Sequence, residues 1–281
     1  MNIYKCNNFY KEIILINSKK TTFINFHLLI GNDFNNKNKK IIYSLKRLKS
    51  KCKFNFYNVG YNFKGWIHGR GRTVASFYRI ILGEILNKVD KIIYLDGDTL
   101  TYNDLNEMYE LNMKNLYFRG IGEIIKKYFK KNKFICAGVM LMNLKLIKKD
   151  HVYKIFQNYY LKNFRKGIYY GDQYIINILF NNKIGFLPPK FGMYFINENY
   201  IKKYMSLKKL IYSEKELRES IKRPVIRHIW GFKKYGNFVI KPWKTKKYSK
   251  FKKLWNYYAK KTGKYSLICK FFKNACIIHN K

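Results

Sequence analysis

The chain has 281 residues, of which 47% are hydrophobic and 19% aromatic, so it can bury a substantial core in one large or two small domains. Its 58 Lys and Arg residues against 16 Asp and Glu residues give a formal net charge of +42, which favours anionic partners. The excess is mostly Lys spread along the chain, whereas surfaces that read bases or bind phosphates more often use Arg. Composition therefore excludes a disordered chain and gives little weight to a nucleic-acid partner.

The five cysteines are widely spaced and form no C-x-x-C pair, which indicates the reduced thiols of a cytosolic protein. The N-terminal residues lack the apolar segment of a signal peptide, and no run approaches the roughly 18 apolar residues of a membrane span. These patterns predict a cytoplasmic chain that is at most peripheral on a membrane.

Strand-like and helix-like runs alternate along the first hundred residues. The predicted elements are strands at 23–30, 53–59 and 91–95 and helices at 39–51 and 72–87. The second helix is expected to bury one apolar stripe, with Ser76, Arg79 and Gly83 off that stripe. The β-α-β-α-β order predicts an α/β fold with a mostly parallel sheet flanked by helices.

Two of the scarce acids, Asp96 and Asp98, directly follow the buried strand KIIYL. In such sheets, ligands bind outside the carboxyl ends of the strands. Carboxylates at i and i+2 on extended backbone point to the same side, and Gly97 between them allows a close approach. The pair suits Mg²⁺ or Mn²⁺, but a turn that ends a strand and caps the helix predicted at DLNEMYEL fits equally well.

Five sequence blocks stand in order along the chain. They are SFYRI (76–80), KIIYLDGDTL (91–100), FICAGVMLMNLKLI (134–147), GDQYIINILFNNKIGFLPPKF (171–191) and RHIWG (227–231), the last followed by KPW (241–243). Together they resemble glycosyltransferase family 8, which contains bacterial lipopolysaccharide glucosyl- and galactosyltransferases and is related to glycogenin. The resemblance covers roughly residues 20 to 245.

This resemblance implies a GT-A type, Rossmann-like nucleotide-diphospho-sugar transferase fold. It also implies a UDP-glucose or UDP-galactose donor, bound Mn²⁺ or Mg²⁺, and transfer with retention at the anomeric carbon. The acceptor would be lipopolysaccharide or another lipid-linked or oligosaccharide surface glycan, and no nucleic acid is implied.

The metal ligands that the resemblance implies are Asp96, Asp98 and His228. His228, in RHIWG, is similar to the third ligand of the family's H-x-x-G block, and a neutral imidazole suits Mn²⁺. Taken alone, His228 on the strand-like PVIRHI is more typical of a half-buried structural histidine.

Three further residues resemble the family's donor-sugar site. Arg79 is similar to the basic residue that contacts the donor sugar and phosphates, although alone it fits a solvated helix face. Asp172 and Gln173 resemble the catalytic Asp-Gln pair that hydrogen-bonds the sugar hydroxyls, although alone Asp172 fits a helix N-terminal acid. Gln173 is also the nearest matching nucleophile for a double displacement, whereas the family is usually described by front-face attack.

Other residues are expected near the nucleotide. Gly97 and Gly231 belong to matched blocks, and Lys241 or the Lys233–Lys234 pair is expected to stabilise the leaving diphosphate. The stretch KCNNFYKEIILINSKK stands where the family has a strand, an acidic nucleotide-binding loop and a helix. In this stretch Cys6 stands in place of the usual acid, and the helix is expected to be shortened. Asn7 and Asn8 are then expected to contact the base or ribose.

Two departures lie further along the chain. Cys136 stands where the family commonly has Asn or Ser, and it is predicted to be a small buried hydrophobe. The gap from Gly231 to Lys241 is longer than usual, which weakens the assignment of Lys241 to the phosphates.

The predicted domains are a catalytic domain at 1–243 and a basic, aromatic extension at 244–281. The extension interleaves lysines with aromatic residues, which fits either a peripheral contact with an anionic membrane or a C-terminal helix docked on the domain. The leading hypothesis is a metal-dependent retaining glycosyltransferase. The alternatives are a catalytically degenerate family member and, ranked last, a basic nucleic-acid-binding protein, since no nucleic-acid module is recognised.

Overall fold

The computed structural model describes residues 2–5, 23–32, 34–44, 51–69, 74–97, 99–123, 133–193, 198–207 and 210–228. Over these ranges, no helix combines the length and the hydrophobicity that a membrane span needs.

Strands and helices alternate through most of the described chain. The strands are β1 (Asn2–Lys5), β2 (Ile24–Ile30), β3 (Cys52–Asn58), β4 (Lys91–Leu95), β5 (Thr99–Thr101), β6 (Phe118–Gly122), β7 (Ile135–Asn143), β8 (Ile184–Phe186), β9 (Phe191–Gly192) and β10 (Ile226–His228). The α-helices are α1 (Asn36–Tyr43), α2 (Leu82–Ile85), α3 (Asn106–Tyr109), α4 (Leu144–Lys149), α5 (Val152–Phe164), α6 (Asp172–Leu179), α7 (Glu198–Met205) and α8 (Glu214–Lys222). Short 3₁₀ helices cover Gly60–Phe63, Val74–Ile81 and Asn181–Lys183.

The central sheet has seven strands in the order β3-β2-β1-β4-β7-β6-β8. The β3-β2, β2-β1, β1-β4 and β6-β8 pairs are parallel, whereas β7 runs antiparallel to both β4 and β6. The predicted strands at 23–30, 53–59 and 91–95 are β2, β3 and β4. The sheet is therefore mixed: its first half is parallel as predicted, and β7 reverses the direction next to β4.

Both faces of the central sheet are covered, as β4 shows. Successive residues of this strand point to opposite sides of the sheet. Ile93 and Leu95 belong to a core shared with α1, α3, α7, α8 and the smaller sheet. Ile92 and Tyr94 belong to a second core shared with the 3₁₀ helix 74–81 and with α4, α5 and α6. This three-layer arrangement explains why KIIYL shows no polar alternation.

The predicted helix at 72–87 is built differently from the expectation. Eight residues, Val74–Ile81, form a 3₁₀ helix, and a single α-helical turn follows. Arg79 and Gly83, which were expected off the buried stripe, are both buried. A tighter 3₁₀ turn changes which residues share a face, and Arg79 is buried because carboxylates surround it.

A smaller sheet joins distant parts of the chain beside the end of β4. Its order is β5-β10-β9, with β10 antiparallel to β5 and parallel to β9. His228 on β10 is paired with Thr99 on β5. Because β5 begins four residues after β4 ends, this pairing brings His228 close to the carboxyl end of β4.

Candidate functional site

Asp96 is the first residue after β4, and local bonds fix its position. Its backbone N–H donates to Gly138 O of β7 at 2.7 Å, and Thr99 Oγ1 donates to Asp96 O at 3.0 Å. The Tyr94 hydroxyl donates to Asp96 Oδ1 at 2.6 Å. Residues i and i+2 of extended backbone share a face, so the Tyr94 side chain lies on the same side of the sheet as the Asp96 carboxylate.

Arg79 is the centre of a buried ionic cluster. Its Nη2 lies 3.0 Å from Asp96 Oδ1, and its Nε lies 3.0 Å from Asp172 Oδ2. Nη1 donates to Ala137 O, and the guanidinium also stacks on the Tyr94 ring, 4.4 Å from its centroid. With 4% of its surface exposed, Arg79 requires these anionic and carbonyl partners, because an unpaired buried charge is strongly destabilising.

Asp172 is held from its other side by His68. His68 Nε2 lies 3.5 Å from Asp172 Oδ1, and both side chains are buried. Asp172 is the first residue of α6, and its side chain also faces these two basic groups. The interpretation of Asp172 as a helix N-terminal acid alone is therefore incomplete.

His228 faces the oxygen of Asp96 that Arg79 leaves available. Its Nε2 lies 3.9 Å from Asp96 Oδ2, and the ring is buried. Two residues of β7 fix the ring. A methyl group at Gly138 would lie 2.0 Å from His228 Cε1, so the ring packs directly on that backbone. Cys136 Sγ lies 3.6 Å from His228 Nδ1, on the opposite side of the ring from Asp96.

Cys136 is buried, as predicted, and so is Cys52; both are free thiols. Burial raises the pKa of Cys136, which outweighs the opposite effect of the neighbouring His228. The thiol therefore stays protonated at neutral pH and acts as a small packing group with a weak hydrogen bond, rather than as a nucleophile.

Asp96 and His228 form a pair of the right chemistry for a divalent cation. A carboxylate oxygen and an imidazole nitrogen 3.9 Å apart can both reach one ion, since metal–oxygen distances are about 2.0–2.1 Å for Mg²⁺. Within the described ranges, which omit position 98, no group of three or more His, Cys, Asp or Glu side chains is arranged to hold a metal ion. The two residues fit as part of a site that needs a further ligand.

Gln173, next to Asp172, lies along the edge of β7. Its Oε1 accepts from Ala137 N at 3.1 Å, and its Nε2 donates to Glu123 Oε2 at 3.3 Å. One turn later, the fully buried Asn177 accepts from Ile135 N at 2.7 Å and donates to Ile135 O at 2.9 Å. These bonds tie α6 to β7 and hold the Asp172–Gln173 pair against the sheet.

The structure thus brings together Arg79, Asp96, Asp172, Gln173 and His228, and Gly97 lies in the turn that follows Asp96. The remaining predicted positions lie outside the described residues: Cys6, Asn7, Asn8, Asp98, Gly231, Lys233, Lys234, Lys241 and the extension 244–281.

Sequence reasoning missed three side chains of this site. Tyr94 was counted only as part of an apolar strand, although its position two residues before Asp96 places both on one face. Glu123, directly after β6, and His68, in the glycine-rich stretch 65–71, had no neighbouring motif. Their partners, Gln173 and Asp172, are 50 and 104 residues away along the chain, so only the fold reveals them.

Comparison with known proteins identifies relatives that are named as glycosyltransferases. The model of the family described as Glycosyl transferase family 8 matches residues 9–247. A Haemophilus influenzae protein provisionally named a glycosyltransferase is 27% identical over 194 residues, which are 64% of this chain and 57% of that protein. A lipopolysaccharide 1,2-glucosyltransferase of Escherichia coli is 26% identical over 131 residues, which are 42% of this chain and 39% of that protein. The chain therefore matches 57% and 39% of the lengths of these two relatives.

A solved structure shows the same architecture. The crystal structure of the galactosyltransferase LgtC in complex with donor and acceptor sugar analogs superposes with a TM-score of 0.72 at 18% identity, covering 93% of this chain and 96% of that one. At this identity the likeness concerns the fold alone. It confirms the GT-A type α/β fold predicted from the sequence.

Proposed function

Since this chain belongs to glycosyl transferase family 8, we propose that it is a retaining, metal-dependent hexosyltransferase. It moves glucose or galactose from UDP to a lipopolysaccharide or other surface-glycan acceptor. The observation that carries this proposal is the position of Asp96, which faces Arg79 with one oxygen and His228 with the other. A relative named as a lipopolysaccharide 1,2-glucosyltransferase supports the acceptor class.

The proposed ligands of Mn²⁺ or Mg²⁺ are Asp96, His228 and Asp98. When bound there, the cation supplies positive charge beside the diphosphate of the donor. Arg79 and Tyr94 both bond Asp96 Oδ1, which leaves Oδ2 on the side of His228. Such outer partners orient a ligand before the ion arrives and are commonly needed for full affinity.

The donor sugar is proposed to bind at Asp172 and Gln173. Arg79 and His68 flank the Asp172 carboxylate, whose oxygens are proposed to accept hydrogen bonds from sugar hydroxyls. Gln173 is held by Ala137 N–H and Glu123, so its amide is oriented before the sugar binds. A site fixed in advance needs little reorganisation during the reaction, which is the main source of electrostatic catalysis.

In the proposed reaction, the bond between the anomeric carbon and the β-phosphate oxygen breaks, and the acceptor hydroxyl oxygen bonds to that carbon. The hydroxyl proton passes to the departing phosphate oxygen. Gln173 Oε1 already accepts a hydrogen bond from Ala137 N–H, which lowers its strength as a nucleophile. This supports attack from the same face as the leaving group over a double displacement through Gln173.

The nucleotide is proposed to bind beside the metal site. Lys5, the last residue of β1, is paired with Leu95, the residue before Asp96. We therefore assign Asn7 and Asn8, which follow Lys5, to the base or ribose. Gly97 and Gly231 border the diphosphate, and Lys241 stabilises its charge.

We also propose a domain boundary at 243/244 and a cytoplasmic location. Residues 244–281 are proposed to make a peripheral contact with an anionic membrane. The support for the membrane contact is the sequence of that extension, in which lysines alternate with aromatic residues.

A panel of UDP-sugars tests the proposed activity. Purified protein is incubated with each donor and with Mn²⁺, Mg²⁺ or EDTA, and the release of UDP is measured. We expect hydrolysis of UDP-glucose or UDP-galactose only with a divalent ion, and its loss in Asp96→Ala. A folded wild-type protein that hydrolyses no donor under any of these conditions would instead support the degenerate family member.

A further inference from the structure

Helix α5 and the turn after it form a strongly basic surface. We call the exposed face of Val152–Phe164, together with residues 165–169, the α5 surface. Its exposed cations are Lys154, Lys162, Arg165 and Lys166. No Asp or Glu occurs from residue 152 to residue 171. In α8, by contrast, Glu214, Glu216 and Glu219 alternate with three basic residues, so the charges of α8 balance, whereas those of the α5 surface are all positive.

The cations share one side of the helix. Residues 154, 158, 161, 162 and 165 follow the spacing of a single helical face. Asn158, Leu161, Lys162, Arg165 and Lys166 lie next to one another on this open face. The opposite face packs Val152, Phe156 and Tyr160 into the core. The basic side of α5 is therefore held rigidly outward.

Exposed apolar side chains are concentrated around α5 and the turn after it. Of the eight large hydrophobic side chains exposed among the described residues, four are Ile67, Ile155, Ile168 and Tyr169. Ile67 is held beside α5, because both its N–H and its C=O are bonded to the hydroxyl of Tyr160, but Tyr160 belongs to the buried face of the helix, so Ile67 is not part of the α5 surface. A methyl group at Gly69 would lie 1.7 Å from Tyr169 O, so the two loops are in direct contact.

The α5 surface borders the candidate active site. Ile67 immediately precedes His68, and Tyr169 stands three residues before Asp172. His68 Nε2 and Asp172 Oδ1 are 3.5 Å apart, so both apolar loops end at the proposed sugar site. A partner that covers these loops is thereby brought to the point of transfer.

We propose that the α5 surface docks on an anionic lipid bilayer. Its lysines and arginine bind the phosphates of the headgroups, and Ile155, Ile168 and Tyr169 enter the interfacial layer. Cations combined with exposed isoleucines fit a lipid surface, whereas a nucleic acid would leave the isoleucines in water. The role of this docking rests on the proposed function: the bilayer would present a lipid-linked acceptor beside Asp172. The surface is distinct from residues 244–281.

Charge reversal with a matched control tests the cationic contribution. The full-length triple variant Lys162→Glu/Arg165→Glu/Lys166→Glu is compared with Lys202→Glu/Lys215→Glu/Lys222→Glu, which makes the same change of charge at exposed positions of α7 and α8. Sedimentation with vesicles of phosphatidylglycerol and phosphatidylcholine measures partitioning. We expect the α5 variant to partition at least about tenfold less and the control less than about threefold less. Equal losses in the two variants would overturn the proposal.

Removal of the apolar side chains distinguishes binding to a bilayer from binding to other polyanions. Ile168→Ser/Tyr169→Ser is compared with Tyr61→Ser/Leu210→Ser, which changes two exposed apolar residues elsewhere. We expect only the first pair to weaken vesicle binding, with binding to a DNA duplex unchanged. The proposal is overturned if vesicle binding persists in the first pair or if it falls together with DNA binding.

Measuring donor hydrolysis without vesicles distinguishes a failure of the docking proposal from a failure of the proposed function. None of the four variants alters the residues of the candidate site, so each is expected to hydrolyse donor as wild type does. Vesicle binding that depends on the α5 surface, in a protein without hydrolase activity, would refute the proposed function and support the docking surface.

Discussion

Arg79 lies between two carboxylates that come from different elements: its Nη2 is 3.0 Å from Asp96 Oδ1, and its Nε is 3.0 Å from Asp172 Oδ2. Asp96 ends the strand β4, and Asp172 begins the helix α6. One guanidinium therefore sets the distance between the proposed metal site and the proposed sugar site. Because the two sites act on adjoining parts of one donor, this spacing has to be maintained.

Removal of the Arg79 guanidinium is expected to destabilise the fold. Arg79→Met leaves buried Asp172 and partly buried Asp96 without their shared cation, which should lower the free energy of unfolding by about 3–5 kcal/mol. Denaturation in urea, followed by circular dichroism, measures this loss. Arg218→Met is the control, because Arg218 pairs with Glu198 and Glu214 on the exposed surface and should contribute far less. A loss in Arg79→Met no larger than in the control would contradict the buried ionic cluster.

A methyl group at Gly138 is expected to displace the His228 ring. In Gly138→Ala the new carbon would lie 2.0 Å from His228 Cε1, so the ring must move away from Asp96. We expect Mn²⁺ affinity, measured by electron paramagnetic resonance of the free ion, to fall by about 10–100-fold. In a His228→Ala background the ring is absent, so Gly138→Ala should then change thermal stability little. Equal destabilisation in both backgrounds would show that the clash is not with His228.

Loss of the Asn177 amide is expected to loosen the attachment of α6 to β7. Asn177→Leu leaves the buried N–H and C=O of Ile135 without their side-chain partner, at about 1–3 kcal/mol for each unsatisfied group. Urea denaturation measures the loss of stability. Asn163→Leu, which removes one bond to Tyr159 O within α5, is the control and should cost much less. If the two substitutions cost the same, Asn177 does not serve as the tie between the two elements.

His27 gives the fold a predictable dependence on pH. Burial, with a smaller effect of Lys53, lowers the pKa of His27 from 6.5 to about 4, and the ring is paired with the Tyr57 hydroxyl. Below pH 6.5 the unfolded chain binds a proton that the folded chain does not, so this contribution to stability is full above pH 6.5 and is lost toward pH 4.

His27→Gln removes that titration. We expect the free energy of unfolding of the wild type to fall more steeply between pH 6.5 and 4 than that of the variant, in denaturant titrations at each pH. Parallel curves over this range would mean that His27 keeps an ordinary pKa in the folded chain.

Much of the framework was predictable because it depends on local patterns. Strand-like sequence patterns identified β2 and β3, a continuous apolar run identified β4, and the block KIIYLDGDTL placed Asp96 at a strand end. Ordered motifs predicted the family, which the family model confirms. These signals lie within single segments of the chain, where spacing and side-chain type are sufficient.

The antiparallel insertion of β7 and the burial of Arg79 were not predictable in this way. Strand direction depends on which strands pair across the whole sheet, and no segment encodes that alone. Arg79 is buried only because Asp96 and Asp172, 17 and 93 residues away, meet at its guanidinium. The proximity of His68 to Asp172 and of Cys136 to His228 likewise arises from the tertiary fold.

Calorimetric titration of UDP into the protein measures whether Asp96 holds a divalent ion that the nucleotide needs for binding. We expect clear binding of UDP in the presence of Mn²⁺, little binding in EDTA, and loss of the Mn²⁺-dependent heat in Asp96→Asn while the thermal unfolding of that variant remains cooperative. Binding of UDP with equal affinity with and without Mn²⁺, or Mn²⁺-dependent binding that persists unchanged in Asp96→Asn, would contradict this role of Asp96.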